Sequence, residues 1–172
     1  MRRLYFYLSI FFMLIIFTGI NIKALGIDSP LSMYSKDGTQ QEKVIETVVN
    51  DDIVKKEYIK YYLVGEDKNY KYVKVHVDVV YEDNEGNEVA VAFVDSNFRY
   101  NTEYNQARCL STSRGGISHN NSYCLSTFAR TKNINPYEGE SYCSIRLELN
   151  RRKIDFSRYT IFCDYLGNVK IS

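Results

Sequence analysis

The sequence predicts an all-β domain, mainly antiparallel, built as a β-sandwich or small barrel of about seven to nine strands. Two observations carry this. From Glu57 onward, apolar residues recur at every second position, the period of a strand with one covered face. Turn residues punctuate these segments at short intervals, and sixteen Tyr suit strands intrinsically.

The elements follow in chain order. Residues 27–38 contain Pro30, Asp37 and Gly38 and read as a flexible leader. At 40–50 two patterns compete. Thr39-Gln40-Gln41-Glu42 matches a capping box ahead of Val44, Ile45, Val48 and Val49, which suggests one short helix, whereas the β-branched composition suits a strand. Glu57–Val64 is a strand ending in the turn Gly65–Asn69. Tyr70–Tyr81 places Val73, Val75, Val77 and Val79 on one face and Lys74, His76 and Asp78 on the other. After the turn Glu82–Asn87, Glu88–Phe98 is apolar on both faces and is expected to be covered on both sides. Ala107–Thr112 and Ser122–Arg130 flank a loop holding Gly115-Gly116. Ser141–Leu149 turns Cys143, Ile145, Leu147 and Leu149 inward, and Tyr159–Tyr165 with Asn168–Ile171 form a hairpin around Leu166-Gly167. The single β domain is expected to span 39–172.

Residues 1–26 have a different character. Arg2 and Arg3 precede an apolar run from Leu4 to Phe17, and Ala24-Leu25-Gly26 supplies small residues for cleavage. This is the pattern of a secretory signal peptide, cleaved after Ala24 or Gly26, or left uncleaved as an N-terminal tether. The domain is therefore expected to be secreted or held outside the cell, and the Asn-, Lys-, Ile- and Tyr-rich usage suggests a bacterial source.

Across the chain, 22 Lys and Arg oppose 21 Asp and Glu, a net +1 that excludes a uniformly basic nucleic-acid binder. That figure averages two unlike halves. Residues 27–98 hold eight Lys, no Arg and fifteen acids, a net −7; residues 99–172 hold eight Arg and three Lys against six acids, a net +5.

Cys109, Cys124, Cys143 and Cys163 form an even set in an exported chain, which predicts two disulfides. Pairing as Cys109–Cys124 with Cys143–Cys163, or nested as Cys124–Cys143 with Cys109–Cys163, suits antiparallel strands about equally. Their spacing is too open for a zinc site.

Catalytic signals are absent from the sequence. His76 and His119 read as surface imidazoles, no nucleophile motif occurs, and the Asp83–Glu88 stretch reads as an acidic hairpin turn rather than a calcium loop. No cofactor is expected. The basic residues Arg108, Arg114, Arg130, Arg151, Arg152 and Lys153 are the candidates for gripping anions, since guanidinium binds phosphate or carboxylate bidentately. The expected function is a non-catalytic binding or interaction module at the cell surface or in the medium. Its partner would be an anionic surface polymer or another protein. The alternatives are a secreted hydrolase, an inhibitor presenting the loop Ser113–Asn121, or a structural surface protein.

Overall fold

Alternating burial runs through nearly every strand of this chain. A computed structural model describes residues 31–33 and 41–172, and among them the only regular secondary structure is β. Ten strands are present: β1 (Leu31–Met33), β2 (Gln41–Asn50), β3 (Ile53–Glu66), β4 (Lys71–Asp83), β5 (Glu88–Asn101), β6 (Gln106–Ser118), β7 (Tyr123–Asn135), β8 (Glu138–Leu149), β9 (Arg152–Asp164) and β10 (Val169–Ile171). They form two five-stranded antiparallel sheets, ordered β2-β3-β4-β5-β6 and β1-β10-β9-β8-β7. The first is an uninterrupted meander. The second is a meander from β7 to β10, with β1 added against β10.

The sheets face each other as a sandwich. Val73, Val75, Val77 and Val79 of β4 and Ala90, Ala92, Val94 and Phe98 of β5 point inward to meet Ile145 and Leu147 of β8 and Ile161 of β9. Lys74, His76 and Asp78 line the outer face of β4, as the alternation predicts.

Four readings of the sequence are decided or corrected. The first was open between helix and strand: Gln41–Asn50 is strand β2, registered against β3 from Gln41↔Tyr61 onward. Its valines complete a sheet edge, so tertiary pairing overrides the capping-box signal. The leader contributes Leu31–Met33 to the second sheet. Strand β5 is central, but its outer face is open: Phe93 remains 36% exposed while Ala92 and Val94 are fully buried.

The loop Ser113–Asn121, the fourth, is mostly strand. β6 continues to Ser118, with Phe93 directly opposite Gly115. A Cβ at Gly115 would collide with the Phe93 ring, so glycine here makes room for a cross-strand aromatic rather than making a loop.

The expected signal peptide at 1–26 lies outside the described residues. No helix among the described residues is long and apolar enough to cross a membrane.

Candidate functional site

The arginine-rich half of the sequence becomes the second sheet and its junction with β6. Along β7, Tyr123, Leu125, Thr127 and Ala129 turn inward, leaving Cys124, Ser126, Phe128 and Arg130 exposed. Register then aligns three outward rows across β7, β8 and β9: Ser126–Arg146–Phe156, Phe128–Ser144–Arg158 and Arg130–Tyr142–Thr160. Cations and rings interleave within them. The Arg130 guanidinium sits 5.2 Å from the Tyr142 ring centroid, and Arg158 sits 4.8 Å from that of Phe156. Arg114 reaches over from β6, 5.6 Å above Phe128, with Nη1 donating to the Ala129 carbonyl at 3.3 Å. Phe128 and Tyr142 meet edge to face at 6.2 Å. Two acids temper the charge, Glu148 beside Arg146 and Glu140 at 3.8 Å from Lys132.

The six basic residues singled out in the sequence are thus divided. Arg114 and Arg130 join this face. Arg151 occupies the β8–β9 turn, where Asn150 and Arg151 take left-handed backbone at φ 49° and 67°, and Arg152 and Lys153 open β9 opposite Leu149 and Glu148. Arg108 lies apart, across from Arg99 on β5. Arg146 and Arg158, with the rings of Phe128, Tyr142 and Phe156, are residues the sequence reasoning missed. Starting the ninth strand at Tyr159 instead of Arg152 hid the period-two alignment of Phe156 and Arg158.

The cysteines are also corrected: all four are unbridged. Cys109 is buried, and its backbone N–H is held by Asn133 at 2.8 Å, whereas Cys124 is exposed at the other end of β7, about 30 Å along the strand. Cys143 lies opposite Tyr159 and Cys163 opposite Gly139, so these two are about 13 Å apart along their strands. Cys124 faces outward while Cys143 faces the core, which excludes that pair too. Cys109 and Cys163 share the core near Gly139 with both thiols free. Burial pushes the Cys143 thiol up to about 12 and raises Cys109 and Cys163, so none of the three is a poised thiolate.

A second cluster is buried between the sheets. Lys55 Nζ donates to Ser157 Oγ at 2.7 Å and lies 3.5 Å from Glu57 and 3.9 Å from Asp155. Tyr159 donates its hydroxyl to Glu57, Tyr81 donates to Asp155 at 2.7 Å, and Ser157 donates to Asp155 at 2.9 Å. Burial foremost, then the adjoining carboxylate, raises both tyrosines well above the usual phenol range. A pocket of about 320 Å³ opens beside the cluster, lined also by Ile45, Ile59 and Arg158. The Ser157 proton is committed to Asp155, and Lys55 acts on that oxygen as a donor. This is therefore a satisfied ionic lock, not an activated nucleophile.

His76 is more engaged than a solvated imidazole, with Nδ1 at 2.7 Å from Asp95 and Nε2 at 2.9 Å from Asp78. His119 is exposed, 3.9 Å from Glu88. The Asp83–Glu88 turn folds on itself: Asp83 Oδ1 accepts from the backbone of Glu85 and Asn87, both at 2.9 Å. Among the described residues no group of His, Cys, Asp and Glu is arranged to hold a metal ion.

The fold and site thus define a β-sandwich with an arginine–aromatic sheet face. No family model, curated protein or solved structure matches the chain.

Proposed function

We propose that the protein is an exported, non-catalytic binding module whose ligand is an anionic polymer at the cell surface or in the medium. The observation that carries this is the outer face of β7–β9, where Arg114, Arg130 and Arg158 each lie over an aromatic ring. Contact with a ring anchors each guanidinium and leaves N–H groups to meet carboxylate or phosphate, while the rings offer apolar surface to a repeating backbone. A broad open face suits a polymer better than a small molecule. Export rests on the residue pattern at 1–26.

The hydrolase alternative draws on Glu57 and Asp155, but both are bound to Lys55 and to hydroxyl donors. The inhibitor alternative loses its protruding loop to β6.

Co-sedimentation with purified bacterial cell wall tests the proposal. Retention is expected at low salt, declining as salt rises, and an Arg114→Gln/Arg130→Gln/Arg158→Gln variant should lose most of it. No retention at low salt, or unchanged retention by the variant, overturns it.

A further inference from the structure

We infer that a pocket at one end of the sandwich, between the β5–β6 and β7–β8 hairpins, is a binding site for a phosphate-like oxyanion gripped by Arg99 and Arg108. The register places these two arginines directly opposite each other on β5 and β6. Like charges in that relationship repel and destabilise the ladder, so the pair calls for a compensating charge. Among the described residues, no carboxylate comes within ion-pair distance of either one.

The surroundings are built to donate. The pocket has a volume of about 310 Å³ and is lined by Tyr70, Gln106, Asn133 and Asn135 beside the two arginines. Gln106 Oε1 accepts from the Tyr70 hydroxyl at 3.0 Å, and Asn135 Oδ1 accepts from the Tyr137 backbone at 2.9 Å. Each amide therefore keeps its NH₂ group for a ligand. The acid that senses Arg99 is Asp67. Its oxygens are occupied by the Tyr72 hydroxyl and the backbone N–H groups of Asn69 and Tyr70.

The grip is also preorganised. Arg99 lies over the Tyr70 ring at 4.6 Å, and that ring is pinned by Gln106. Asn133 clamps both backbone groups of Cys109, at 2.8 and 3.0 Å, which steadies the strand beside Arg108. One guanidinium satisfies a carboxylate. Two guanidiniums with two amides match a group carrying more oxygens and more charge, such as a phosphate monoester. Tyr70, Ala107 and Pro136 add an apolar wall that the carbon skeleton of such an ester could lie against.

NMR titration at constant ionic strength tests this, with inorganic phosphate, glucose 1-phosphate, and acetate as control. Saturable shifts are expected at the side chains of Arg99 and Arg108 and the amide of Ala107 with both phosphates, and not with acetate. Arg99→Gln or Arg108→Gln should weaken phosphate binding about tenfold. Arg99→Gln should also raise the Tm without phosphate, through relief of repulsion, and abolish the Tm gain that phosphate gives the native chain. A role confined to packing would produce neither effect. Tighter binding of glucose 1-phosphate assigns the site to a phosphorylated sugar end; equal binding assigns it to the free anion. Unsaturable shifts shared with acetate, meaning an adventitious ion only, overturn the inference, as does unchanged binding by the variants. The Arg114, Arg130 and Arg158 substitutions should leave phosphate binding intact, so this site and the sheet face fail independently.

Discussion

Lys55 Nζ donates to Ser157 Oγ at 2.7 Å across a separation of 102 residues, joining β3 of one sheet to β9 of the other. Around that bond, Glu57 and Asp155 face the same ammonium, and Tyr159 and Tyr81 complete their oxygens. The network ties two meanders whose shared core is otherwise mostly apolar, with smaller polar contacts such as Ser96 to Ser141 elsewhere between them. Removing the ammonium strands two carboxylates in a largely desolvated place, which costs more than the lost attraction. Lys55→Met should therefore lower the unfolding free energy by about 3 kcal/mol in urea denaturation. A loss under about 1 kcal/mol would class the cluster with exposed pairs instead.

The outer face of the first sheet has its own ionic row, and its pH response has a definite sign. Burial alone would raise Asp95, but hydrogen bonds from Lys74, at 2.8 Å, and His76 prevail and hold its carboxyl below the usual range. The Asp95 hydrogen bond foremost raises Lys74. A lowered acid binds fewer protons folded than unfolded, so its contribution is full above about pH 4 and fades as pH falls through the folded value. The raised lysine contributes below about pH 10.5 and loses that contribution as pH climbs through its own folded value. Asp95→Asn should thus lower Tm across this whole window, with the gap from the native chain closing below about pH 4. A gap independent of pH would mean that Asp95 acts through packing alone.

Much of this fold was legible because burial imposes a period of two. Val73 to Val79, Cys143 to Leu147 and the turns at Gly86 and Gly167 stand where alternation and turn chemistry put them, whereas Gly65 lies within β3 and the chain turns after Glu66. What misled were signals whose meaning depends on a neighbouring strand. Gly115-Gly116 resembles a loop until Phe93 is seen across from it, and the capping box at Thr39 carries no weight once β2 pairs with β3. The candidate site was half visible. Arg114 and Arg130 stood out by charge, but Arg99 facing Arg108 is a register relationship, and no local spacing encodes it. The lock behaves likewise, since Lys55 and Glu57 look solvated until β9 brings Asp155 and Ser157 against them.

The cysteines have a chemical signature that follows from their faces. Cys124 lies on the exposed side of β7, while Cys109, Cys143 and Cys163 are buried. Burial also disfavours their thiolates, the form that attacks a disulfide reagent. Titration with an aromatic disulfide should give one fast thiol in the folded protein and four once guanidinium unfolds it without reductant. Two or fewer in the unfolded protein would establish a bridge, and the geometry would then require Cys109 and Cys163 to be its ends.

Gly139 tests how closely the sheets approach at the Cys109 end of the sandwich. It lies on β8 opposite Cys163, and a Cβ placed on it would overlap the backbone of Arg108 and Cys109 on the other sheet. Backbone cannot swing aside as a flexible side chain can, so the strain must separate β6 from β8. Gly139→Ala should cost about 1–3 kcal/mol, the scale of an overpacked core. Gly65 provides the contrast, since its Cβ would meet nothing within 4 Å. Gly65→Ala should be neutral or stabilise by about 0.5 kcal/mol, by restricting the unfolded chain. Denaturant melts of the two variants separate the effects: equal losses would show that the cost comes from glycine's backbone freedom, whereas a loss at Gly139 alone locates it in the contact between the sheets.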